Sequence, residues 1–135
     1  MTKLEDKIAE IEKYLSELEE IIPDKFEKYK SSNLVKAGCE RYFEKIIEAA
    51  TDIAFMVIVK KKFRLPDDDI DAFNILSEHK IINGELYKKL KQAKGMRNII
   101  AHEYGKIDDK IVFDAIKEEI TEDMKDFIRN IKNHI

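Results

Sequence analysis

Glycine and proline are scarce, with four Gly and two Pro in 135 residues. A sandwich or barrel needs many tight turns, and so few turn residues exclude one. Tryptophan is absent. Cysteine occurs once, as Cys39, so no intrachain disulfide can form and no cysteine-based metal site is expected. A reducing, cytoplasmic compartment follows as the expectation. The longest apolar run, Ile53 to Val59, is far too short to span a membrane. The opening MTKLEDKIAE carries acidic residues at once and lacks the apolar centre of a signal peptide. The 25 basic and 28 acidic residues nearly cancel, leaving a formal charge of −3. That excludes a broad basic face for nucleic acid, but not a small local site.

What is present is helix-forming material. Charged residues make up 39% of the chain and apolar residues 44%, a composition of amphipathic helices. Leu4, Ile8, Ile11, Leu15, Leu18 and Ile22 recur at spacings of three and four, which predicts a helix over Lys3 to Ile22, ended by Pro23. A short helical piece is expected over Asp24 to Ser31. Asn33 is a candidate cap for a long second helix, Leu34 to Lys62. That helix would turn Phe43, Ile46, Ile47, Ala50, Ile53, Ala54, Val57 and Ile58 inward. Pro66 and the run Asp67, Asp68 and Asp69 read as a loop whose acids suit the start of a short helix, Ile70 to His79. Asn83-Gly84 marks a turn. A fourth helix follows from Glu85 to Ala101 or beyond, with Gly105 as its stop. The last helix starts near Asp108 or Asp109 and carries Ile116, Ile120, Met124, Phe127 and Ile131 inward. The expected architecture is an all-α, up-and-down bundle of four main helices plus one short one, with residues 1–135 forming a single domain.

One segment breaks this pattern. Leu86, Leu90 and Ala93 define the buried stripe of the fourth helix, and the next position on that stripe is Arg97. A buried guanidinium is costly unless it is paired or faces a ligand. Two acids on the second helix, Glu48 and Asp52, could pair with it. His102 lies five residues later, about 140° around an ideal helix, so the two do not share a face. Either the helix loosens before Gly105, or a second copy of the chain brings its own Arg and His alongside at a two-fold axis. Asn98 lies on the His102 side. Tyr104 returns to the Arg97 side if the helix persists. Gly95, inside the helix, suggests a close backbone approach.

These side chains form a coherent chemical set. An arginine fork binds phosphate at two points. Histidine, with an ordinary pKa near 6.5, moves protons at neutral pH. Asn and Tyr can orient a hydroxyl or a phosphate. Together they could cleave RNA without metal. The 2′-hydroxyl would attack the adjacent phosphorus, with His102 handling the proton and Arg97 stabilising the phosphorane. The three histidines, His79, His102 and His134, are not at metal-ligand spacing.

The stretch Met96-Arg97-Asn98-Ile99-Ile100-Ala101-His102-Glu103-Tyr104-Gly105 resembles the signature of HEPN domains. The form R-N-x-x-x-H-x-Y, followed by Gly and the acidic pair Asp108-Asp109, is similar to the HepT-like branch. The helix order and chain length fit across essentially the whole sequence. The resemblance implies a toxin paired with a small nucleotidyltransferase antitoxin called MNT. It implies a metal-independent endoribonuclease with no cofactor, in which Arg97 and His102 are the catalytic pair and Asn98 the polar helper. It implies a homodimer in which two motifs face one cleft. It also implies that Tyr104 receives AMP from the antitoxin, an anionic adduct that would compete for Arg97 and exclude RNA. Gly38 is the one departure, standing where a larger residue is commoner, and it leaves the site assignment untouched.

The remaining special residues have plainer readings. His79 and His134 are expected on the surface. Cys39 is expected as a small packed side chain. Lys60, Lys61 and Lys62 suit the carboxyl end of a helix, where they could also touch RNA phosphates. Two other readings of the whole chain stand beside the nuclease. One is a non-catalytic helical partner or nucleotide-binding subunit of a nucleotidyltransferase. The other is a structural bundle with a salt-bridged Arg97.

Overall fold

The computed structural model describes residues 2–135, with Tyr104 described in its backbone alone. Helix α1 (Lys3–Ile21) begins where the Thr2 hydroxyl accepts from the Glu5 amide at 3.1 Å. Its stripe Leu4, Ile8, Ile11, Leu15 and Leu18 is buried, and Pro23 limits its end. Helix α2 (Phe26–Ser31) is shorter than expected because Lys25 is extended. Its buried Tyr29 ring lies 5.2 Å from Phe113.

Helix α3 (Asn33–Lys61) is the central element, and all eight of its expected inward residues are buried. Its cap is Ser32 and not Asn33. The Ser32 hydroxyl accepts from the Val35 amide at 3.2 Å, which leaves Asn33 as the first helical residue. Two adjacent polar residues can each cap, and backbone geometry selects one. The helix ends on Lys62 in the left-handed region, with φ 59° and ψ 40°. A Cβ at Gly38 would stand 3.2 Å from Ile21 Cδ1. That close approach of α1 to α3 accounts for the small residue there.

Helix α4 (Asp69–Glu78) is capped by Asp68, whose carboxylate accepts from the Asp71 amide at 2.7 Å. Helix α5 (Gly84–His102) starts immediately after Asn83. The Asn83 side chain accepts from Leu86 N at 2.8 Å, so this residue is a helix cap as well as a bend. Helix α5 stops at His102, and a single 3₁₀ turn, Tyr104–Lys106, follows. The helix therefore ends before Gly105, which has no positive φ and is not a left-handed cap. Helix α6 (Asp109–Asp114) is capped by Asp108 and continues through a π turn, Ala115–Glu119, into α7 (Ile120–His134). Ile116, Ile120, Met124, Phe127 and Ile131 are all buried.

Among the described residues no strand forms. The four long rods are α1, α3, α5 and the α6–α7 unit, with α2 and α4 as short segments. Their buried apolar residues form one continuous cluster. Helix α3 lies against both α1 and α5, and this places the middle of α3 opposite the last turns of α5.

Candidate active site

The buried side of α5 is built from Leu86, Leu90 and Ile100, which fixes the rotation of the helix about its axis. Arg97 falls on that side, and its side chain is 19% exposed. Its Nη2 donates to Glu48 Oε1 on α3. Of the two acids named by the sequence, only Glu48 takes this role. Asp52 instead pairs with Lys7 Nζ from α1 at 3.3 Å. Arg97 Nε is buried and, among the described residues, has no hydrogen-bond partner. The guanidinium is thus held at one corner with donor capacity left over.

His102 is the last residue of α5 and is exposed. The helix is unbroken from Arg97 to His102, so the loosening of the helix that could have joined them within one chain does not occur. The two side chains diverge by about 140° around the helix. Asn98 is half-buried on the flank toward His102. The Tyr104 side chain lies outside the described residues. Among the described residues nothing stands within 4 Å of a Cβ built on Gly95, so the close approach expected there is not made by them. A cleft of about 250 Å³ between α5 and the α6–α7 unit borders Met96 but none of Arg97, Asn98 and His102.

Lys94 was not singled out by the sequence reading. Its side chain is only 8% exposed, and its Nζ lies 2.9 Å from Asp69 Oδ2 at the start of α4. The available signal was its position one turn before Arg97, beside the inward stripe and with the Asp67–Asp69 run elsewhere in the chain to receive it. His79 and His134 are exposed as expected. The His79 ring stacks on Phe63 with centroids 3.6 Å apart, and His134 Nδ1 lies 2.8 Å from the Asn130 carbonyl oxygen. Cys39 is fully buried, and burial pushes its thiol up to about 11. Lys60, Lys61 and Lys62 are exposed at the end of α3. Among the described residues no group of three or more His, Cys, Asp or Glu could hold a metal ion, and no helix is long and apolar enough to cross a membrane.

The family model described as Ribonuclease HepT-like matches residues 11–131. The chain belongs to the ribonuclease HepT-like family, whose members are RNA-cleaving enzymes. It is 33% identical over 121 residues to the tRNA nuclease HepT of Aphanizomenon flos-aquae, covering 86% of this chain and 82% of that one. It is 26% identical over 127 residues to the mRNA nuclease HepT of Shewanella oneidensis, covering 94% of each. The fold matches a solved structure of the tri-AMPylated Shewanella oneidensis HEPN toxin in complex with MNT antitoxin. The TM-score there is 0.92 at 25% identity, over 99% of this chain and 100% of that one.

Proposed function

We propose that this chain is the toxin of a HEPN/MNT toxin–antitoxin pair, acting in the cytoplasm as a metal-independent endoribonuclease. Residues 1–135 serve as one HEPN unit, and two copies form the working enzyme. The observation that carries this reading is the divergence of Arg97 and His102 on an unbroken helix. Arg97 faces inward with its Nε unpaired among the described residues, while His102 stands in the open at the helix end. A second copy across a two-fold axis supplies the missing half of each site. In that composite site His102 takes the 2′-hydroxyl proton, and returns one to the leaving 5′-oxygen. Arg97 supports the charge that builds on phosphorus. Asn98 orients the phosphate or the attacking hydroxyl.

Neutralisation falls to an MNT nucleotidyltransferase that moves AMP from ATP onto the Tyr104 hydroxyl, with pyrophosphate leaving. The adduct's phosphate sits two residues from His102 in sequence, where it competes with RNA for the guanidinium. The AMPylated relative in complex with MNT supports this reading. Purified protein should cut RNA in the presence of EDTA, and His102→Ala should abolish cutting. Activity that needs a divalent ion, or an active His102→Ala protein, overturns the reading. Incubation with an MNT partner and ATP should add adenylate mass that Tyr104→Phe prevents.

A further inference from the structure

We propose that Glu48 is a positioning residue that holds the Arg97 guanidinium in place for the phosphate, a role that rests on Arg97 being catalytic. Glu48 sits in the middle of α3, the most buried helix. Its neighbours Ile46, Ile47, Ala49 and Ala50 are each no more than 4% exposed. Its Cα therefore belongs to the rigid core, while its own side chain reaches out and is 42% exposed. A site group held by a packed element is placed more accurately than one held by a loop.

The pairing is also selective. Asp52 lies one turn further along α3 and is committed to Lys7, and Asp69 is committed to Lys94. Glu48 is the carboxylate that meets Arg97. It engages Nη2, at one corner of the fork, while Nε has no hydrogen-bond partner among the described residues. An arginine whose whole fork were occupied would have nothing left for a ligand. An arginine with no anchor would spread over many rotamers. Anchoring one corner restricts the rotamers and preserves capacity for an anionic oxygen. Glu48 acts through Arg97 and touches no substrate atom.

The test compares Glu48→Ala, Glu48→Gln, Arg97→Ala and the Glu48→Ala/Arg97→Ala double variant in the full-length protein, each checked for helical content. Glu48→Ala should lower kcat by about 10²-fold, the scale of a misplaced catalytic group, with KM changed far less. Glu48→Gln keeps an acceptor oxygen and should recover most of that loss. In the Arg97→Ala background, removing Glu48 should cost nothing further. Should Glu48→Ala fail to fold, Glu48→Leu replaces it, filling the space without an acceptor. Unchanged or raised kcat in Glu48→Ala overturns the role, as does an equal loss in the Arg97→Ala background.

A second readout does not depend on cleavage. The Arg97 Nε–H signal in proton–nitrogen NMR, assigned by its disappearance in Arg97→Ala, should be sharp in the native protein and broadened in Glu48→Ala. An unaltered signal overturns the positioning claim. Native protein that cuts no RNA, or a fully active Arg97→Ala variant, would overturn the nuclease assignment instead.

Discussion

Arg64 fills its fork with carboxylates. Nη1 and Nη2 meet the two oxygens of Asp71 at 2.7 and 2.9 Å, while Nη2 and Nε reach Glu78 at 3.0 and 3.4 Å. The pairing holds the Asp71 carboxyl well below the usual range, led by the Arg64 hydrogen bonds and helped by the Asp67 amide. Among the described residues Arg97 meets one carboxylate through one nitrogen, and its buried Nε has no partner. Both arginines tie α3 or the loop that follows it to a later helix. Arg64 is saturated, so its chemistry ends within the chain. Arg97 is under-used, and a buried donor left unpaired is disfavoured until something supplies an acceptor. A saturated arginine makes a clasp, whereas a partly satisfied one is suited to receive a ligand.

The strongest way to break this contrast is to remove each arginine in turn. Arg97→Ala should lower RNA cleavage by about 10²–10³-fold, the loss expected when a transition-state donor is deleted. Its stability should fall by less than about 1 kcal/mol, because the abandoned Glu48 is 42% exposed and can be hydrated. A sealed structural pair would instead cost about 3–5 kcal/mol. Chemical denaturation and cleavage assays on one preparation separate the two outcomes.

Arg64→Ala should show the reverse, with cleavage unchanged and a melting temperature a few degrees lower. Acidification sharpens the same point. The Asp71 pKa is depressed in the folded state, so the clasp's contribution is complete above the ordinary carboxylate pKa near 4 and is lost as pH falls through the lower folded value. The melting-temperature gap between the native protein and Asp71→Asn should be constant near neutrality and should shrink below about pH 4. A gap as wide at pH 2 as at neutrality would mean that the charge of Asp71 is not what holds the clasp.

The smallest expected effect concerns Cys39. With its thiol pushed up to about 11 by burial, it should react slowly with a disulfide reagent at pH 8 and rapidly after unfolding. Fast native labelling would mean that the α1–α3 side opens readily, and would remove the rigid frame on which the comparison of the two arginines depends.

The bundle was legible because its helices carry periodic apolar stripes, as in Leu4 to Leu18 on α1 and Phe43 to Ile58 on α3. The exceptional place of Arg97 was legible for the same reason, since it occupies a stripe position. The wheel narrowed its partner to Glu48 or Asp52, but it could not choose between them. The choice depends on Lys7, which approaches from α1 and takes Asp52. Terminal details were less legible. Ser32 displaced Asn33 as a cap, and the end of α5 fell at His102 instead of Gly105, since both depend on backbone angles that composition does not encode. The π turn at Ala115–Glu119 left no mark on the apolar pattern, because Ile116 and Ile120 remain inward through it. Gly95 has no close neighbour among the described residues to explain it. Arg97 and His102 stand out in the sequence as a candidate pair, while their divergence needed the helix to be seen unbroken.

Complementation between two inactive proteins tests the composite site most directly. Arg97→Ala and His102→Ala, each inactive alone, are unfolded together, mixed in equal amounts and refolded. If each site draws Arg97 from one copy and His102 from the other, half of the dimers are mixed and each mixed dimer has one intact site. About a quarter of native RNA cleavage should then return. If Arg97 and His102 work within one chain, every site in the mixture lacks one of them. Cleavage that stays at the level of the separate variants would contradict the account.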